Sequence, residues 1–153
     1  MTPATALATP NTKASLYTPE LLALAVSLAE YPISSTHRYQ AQAYSRICGS
    51  VVAVSLNLDE NSCVTDFGMR VSACAVGQAA AAVFARSIAG HDVASLAEGR
   101  REIAEWLTGQ GALPDWPGLE GLLPALPHTG RHAAILLPWD AALRALCNSP
   151  EAD

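Results

Sequence analysis

Positive charge and long apolar runs are both scarce in this 153-residue chain. Nine Lys and Arg stand against fourteen Asp and Glu, a net charge of −5. A nucleic-acid surface needs a basic stripe, so that class of partner is excluded. No run reaches the ~18 apolar residues of a membrane span, so no membrane association is expected. The first residues lack a charged segment followed by an apolar block, the pattern of a signal peptide. The expectation is therefore a cytoplasmic protein, with its thiols kept reduced. Only four cysteines occur, Cys48, Cys63, Cys74 and Cys147, and no two of them form a Cys-x-x-Cys pair. A zinc ribbon and a thioredoxin motif are thereby excluded. No internal repeat is present.

What is there supports one domain. Half of the residues are hydrophobic, enough for a core without staples. Residues 1–15 are rich in Thr, Ala and Pro without a period, and a mobile tail is expected there. The domain is placed at 16–149. Thr18-Pro-Glu-Leu opens a helix, with Thr as N-cap and Pro at the first helical position. Leu21, Leu22, Ala25, Leu28 and Ala29 give its apolar stripe, and Pro32 stops it. Tyr39 to Ser45 fits a first strand, and Gly49 marks a tight bend. In a second strand Val52, Val54, Leu56 and Leu58 share one face, opposite Ser55 and Asn57. A third strand puts Cys63, Thr65, Phe67, Met69 and Val71 on one face, which makes Cys63 a core residue.

Helices follow. One ends near Gly90, and another, capped by Asp92, is expected to break at Gly99. Glu98, Arg100, Arg101, Glu102 and Glu105 are its solvated face. Four prolines and four glycines between Gly109 and Pro127 mark a long connection, pinned by Leu113, Trp116, Leu119, Leu122 and Leu123. Arg131 to Cys147 is a last helix, with Pro138 kinking it or lying in its first turn. Cys147 belongs to an apolar cluster with Leu143 and Leu146. The order predicts an α+β fold: a three-stranded antiparallel sheet with helices packed on one face.

The chemistry centres on Arg70-Val-Ser-Ala-Cys-Ala-Val-Gly-Gln, a strand end, a cysteine and a helix of small residues. With Ser72 as N-cap, Cys74 falls in the first helical turn. Unpaired N–H groups and the positive helix end favour an anion there, and thiolate is the form that binds metal or attacks sulfur. The other reading is a small buried hydrophobe. Cys48 lies in Cys48-Gly-Ser50, ahead of the second strand. Residues two apart in extended chain face the same side, so 48 and 50 can address one ligand. The hairpin of strands two and three can return the chain from Cys74 to Cys48.

Three segments in this order resemble the U-type iron–sulfur cluster scaffold proteins, the family of IscU, the NifU N-terminal domain and SufU. They are Cys48-Gly-Ser-Val-Val-Ala-Val-Ser-Leu-Asn-Leu-Asp-Glu, Arg70-Val-Ser-Ala-Cys-Ala-Val and Arg131-His-Ala-Ala-Ile-Leu-Leu-Pro-Trp. The resemblance runs from about Tyr17 to Cys147. It implies an IscU-like fold and a scaffold or carrier that is not an enzyme. Cys48 and Cys74, with Ser50, would bind iron, a transient iron–sulfur cluster or zinc. It also implies a cysteine desulfurase as sulfur donor and iron–sulfur acceptor proteins as clients.

The departures are specific. Ser50 occupies the family's aspartate position, Ala134 its third cysteine position and Ala133 the residue before that. Two thiolates fall short of the four ligands that zinc or cluster iron takes. His132 is the candidate replacement, since neutral imidazole binds zinc or iron. Two ligands per chain would still hold a cluster across a homodimer. The alternative is a degenerate scaffold fold used as a protein-interaction module without metal. A sulfur transferase with Cys74 as nucleophile is the third reading, but no base-and-orienter pattern accompanies it.

Overall fold

The computed structural model describes residues 16–147, apart from the side chains of Ala29 and Glu30. The tail at 1–15 and the last two residues of the expected domain lie outside the described residues. Helix α1 spans Pro19–Val26, and a 3-10 turn continues it from Ser27 to Glu30. The Thr18 hydroxyl accepts the Leu21 N–H at 3.2 Å, as the sequence predicts. Strands β1 (Tyr39–Tyr44), β2 (Val51–Leu58) and β3 (Val64–Ser72) follow. They form one antiparallel sheet in the order β1-β2-β3. Then come α2 (Ala75–Ser87), α3 (Val93–Leu107), a 3-10 segment (Leu119–Ala125) and α4 (His132–Cys147). Helix α4 lies on β1 and β2 and also touches α2 and α3. No helix among the described residues is long and apolar enough to cross a membrane.

The core is built from Val52, Val54 and Leu56 of β2, the alanines of α2 and the inner face of α4. Ala79 to Ala82 are fully buried, and their small side chains let α2 pack closely. Trp139 stands at its centre. Its ring meets Phe84 edge-on at 5.2 Å and Trp116 edge-on at 5.1 Å, while His91 stacks on Trp116 at 4.8 Å. The connection after α3 is thus anchored by Trp116, Leu119 and Leu122, whereas Leu113 and Leu123 are exposed.

Several expectations are corrected. Helix α3 is unbroken at Gly99. A Cβ there would lie 2.7 Å from the Trp116 ring, so the glycine makes room for the anchor rather than ending the helix. Cys63 is not on the core face of β3. A register shift sits between the Leu56–Phe67 and Leu58–Val64 pairs. The extra residue on β3 reverses the alternation, so Val64 points inward and Cys63 is left half-exposed in the turn. Ser55 is fully buried on the supposedly polar face, because His37 Nδ1 covers it at 2.7 Å. Cys147 is exposed at the end of α4, and that helix runs through Pro138.

Candidate functional site

Cys48 sits in the turn between β1 and β2. The Ser45 N–H donates to the Ser50 carbonyl at 2.9 Å, and Gly49 takes the bend with φ of 74°. This φ lies in the left-handed region, which glycine adopts without penalty. The turn leaves Cys48 exposed, while Ser45 and Ser50 are buried beneath it. Ser50 Oγ lies 3.1 Å from Cys48 Sγ, and the Cys48 N–H donates to Ser45 Oγ at 3.5 Å.

Cys74 stands across the sheet end. Val51 pairs with Ser72, so the residues before β2 and after β3 emerge together. Strand β3 runs through Ser72, which therefore does not cap the helix. Cys74 itself is the N-cap, with extended backbone and no side-chain capping bond. Its sulfur is spared from helix capping, and it is half-buried.

Arg131 acts electrostatically on both Cys74 and Cys48. A hydrogen bond runs from Arg131 Nη1 to the Tyr17 hydroxyl at 3.4 Å. Together Tyr17 and Cys74 push the guanidinium above its usual range. Tyr17 was missed, because nothing local in the chain links it to a residue so far downstream.

Partial burial works to raise the Cys48 thiol. Hydrogen bonds from Ser50 and Ser45, with the Arg131 charge, outweigh it and hold the group below its ordinary value. Cys63 shows the opposite balance, raised by desolvation and by the Asp59 and Asp92 carboxylates. A lowered value means thiolate at lower pH, so in the metal-free protein Cys48 should become alkylated at a lower pH than Cys63. Ser50→Ala and Arg131→Gln should each move the Cys48 midpoint upward. Iodoacetamide labelling across a pH series, read by peptide mass spectrometry, checks this; a Cys48 midpoint at or above that of Cys63 would contradict it.

The remaining sequence candidates are placed differently. His132 Nε2 lies 2.8 Å from the Leu126 carbonyl oxygen and so carries the proton donated to it. Ala134 is fully buried, and its methyl lies 3.5 Å from where a Cβ on Gly77 would be, one turn beyond Cys74. Among the described residues no group of three or more His, Cys, Asp or Glu side chains is placed to hold a metal ion. The structure brings Cys48, Ser50 and Cys74 to one end of the sheet, where the Arg131 charge acts on both thiols, but gathers no third ligand among the described residues.

No family model and no curated protein matches the sequence. Solved structures do. The N-terminal part of a nitrogen-fixing NifU-like protein from Brucella abortus superimposes with a TM-score of 0.83 at 28% identity, covering 94% of this chain and all of that one. The fold is that of the IscU/NifU/SufU-like scaffold proteins. A protein assigned as an iron–sulfur cluster assembly scaffold for the SUF system, from the thermophile Fervidobacterium islandicum AW-1, shares the fold. Its TM-score is 0.77 at 17% identity, over 86% of this chain and 96% of that one. In this chain the two thiols stand at the sheet end with a methyl, Ala134, at the position where the sequence resemblance puts a third cysteine.

Proposed function

We propose that this protein handles sulfur or a transient iron–sulfur cluster at Cys48 and Cys74, as a carrier in cluster assembly rather than as an enzyme. The observation that supports it is the pairing of Val51 with Ser72, which brings exposed Cys48 and half-buried Cys74 to one sheet end, where the Arg131 charge acts on both. Thiolate is the form that ligates iron and the form that attacks a persulfide sulfur. Ser50 donates to the Cys48 thiolate and holds it in place. A cysteine desulfurase is the donor that the family suggests, and iron–sulfur acceptor proteins are the clients.

Zinc as a resident ion does not suit these residues. It takes four ligands at tetrahedral geometry. Here the third position is a methyl, and among the described residues no group of three or more His, Cys, Asp or Glu side chains is placed to hold a metal, so His132 is not gathered with the two thiols. His132 is therefore left out of the proposed ligand set, and no step is routed through zinc.

Anaerobic incubation with iron and sulfide under reducing conditions should give a visible-absorbing cluster, lost in Cys48→Ala and in Cys74→Ala. Incubation with a persulfide donor should add the mass of one sulfur atom at one of the same residues. Ala134 favours a second reading, a protein-interaction module that no longer carries metal or sulfur. A colourless protein that takes up neither would support that reading and defeat the first.

A further inference from the structure

We infer that the outer edge of β3 is a docking groove for a partner protein, which adds an extended segment there as a short fourth strand with alternating apolar and acidic residues. The inference stands apart from the carrier reading and uses neither thiol.

The open edge is the first observation. The Met69 N–H points out of the sheet and donates to the Tyr31 carbonyl at 2.8 Å. Backbone groups two residues apart on a strand face the same edge, so those of Val71 also point outward. The segment that shields β3 lies against Gly68, through Pro32 and Ile33. Among the described residues the Val71 N–H has no backbone partner beyond the sheet. Such an edge is what an added strand pairs with.

A groove runs beside that open stretch. It measures about 530 Å³ and is walled by Ala25, Val26, Leu28, Tyr31, Met69 and Val71. Val26 is 76% exposed, the most of any large apolar side chain among the described residues. Apolar surface left open beside an unpaired edge suits contact with protein.

Charge selects the occupant. Arg70 sits between Met69 and Val71 and shares a row with Ala53 and Gln42 across the sheet. It is exposed, lines the groove, and enters no salt bridge among the described residues. In an added strand the residue opposite Val71 turns towards the groove, and the next one, opposite Arg70, turns to the other face. The first meets an apolar wall and the second a guanidinium. Alternating apolar and carboxylate side chains satisfy both. The net charge of the chain is −5, so an acidic segment is repelled by the molecule at large and drawn only to a local cation.

The test is titration of the isotope-labelled full chain, followed by amide NMR, with the peptide Val-Glu-Val-Glu-Val-Glu. Its ends are acetylated and amidated, so that every carboxylate is a side chain. Saturable shifts are expected at Val26, Met69, Arg70 and Val71. Arg70→Glu should keep the circular dichroism of the parent, bind this peptide about tenfold more weakly, and prefer Val-Lys-Val-Lys-Val-Lys. N-methylation of the peptide's valine nitrogens, which removes its ladder donors, should abolish binding. No saturable shift at about 1 mM peptide would overturn the inference. So would equal affinity in Arg70→Glu, or shifts gathered away from the β3 edge. None of these outcomes bears on sulfur or iron uptake.

Discussion

Ala134→Cys is expected to turn a two-thiol site into a three-thiol one and to raise zinc affinity more than any other single change. The methyl of Ala134 lies beside Gly77, one turn beyond Cys74, where α2 and α4 begin. A sulfur added there enters the space that glycine leaves open. With Cys48 and Cys74 it makes three ligands, the set that a catalytic or partly open zinc site uses before water fills the fourth place. Loss of an outer-shell partner alone costs zinc sites about 10–100-fold in affinity, so gain of a direct ligand should exceed about 100-fold. Competition with a chromophoric chelator at pH 7.5 measures it. Ala134→Ser is the control, because a neutral hydroxyl is a poor ligand at that pH. Zinc binding no tighter than in the parent would mean that position 134 does not address the two thiols.

Gly68→Ala is expected to cost the most stability among conservative changes. A Cβ at Gly68 would lie 2.1 Å from the Pro32 carbonyl oxygen, 2.6 Å from its carbon and 2.7 Å from the Ile33 Cα. All three are backbone atoms, so no side chain can swing away. The segment they belong to covers the outer edge of β3, where the Met69 N–H donates to the Tyr31 carbonyl at 2.8 Å. The methyl must lift that segment. Overpacking costs about 1–3 kcal/mol and the broken hydrogen bond about 1 kcal/mol. A total near 3 kcal/mol would lower the melting temperature by about 6–12 °C for a domain of this size. Thermal unfolding followed by circular dichroism gives the number. The freed β3 edge would also pair with other chains, so aggregation should begin earlier in the transition. A melting temperature within about 2 °C of the parent would show that the 31–33 segment is not held against β3.

Much of the architecture was legible because it depends on neighbours in sequence. Thr18 caps its helix through a bond to a residue three positions on, and Gly49 bends the chain alone. The β2 face was readable from the alternation of Val52, Val54 and Leu56. Where alternation meets a bulge it misleads. Cys63 was assigned to the core because nothing in β3 itself announces the extra residue; the shift shows only against the register of β2. Gly99 misled for a related reason. A glycine in a helix reads as a break, but this one is a socket for Trp116, seventeen residues later. Cys74 was placed inside the helix because strand pairing through Ser72 was not visible from local capping signals.

The site divides the same way. Cysteine, serine and glycine spacing around Cys48, and a cysteine ahead of a small-residue helix, are local, and they singled out the two candidate thiols; the third cysteine position at Ala134 came from the family resemblance alone. Which groups meet is a long-range matter. Antiparallel pairing of Val51 with Ser72 brings the two thiol-bearing ends together, and the turn ahead of the last helix brings the Arg131 charge to act on both. Tyr17, from the other end of the domain, then holds that cation. Side-chain chemistry is carried by each residue wherever it goes, so the chain order alone reveals it. Proximity, and the charge balance that follows from it, exists only once the sheet has closed and the helices have docked.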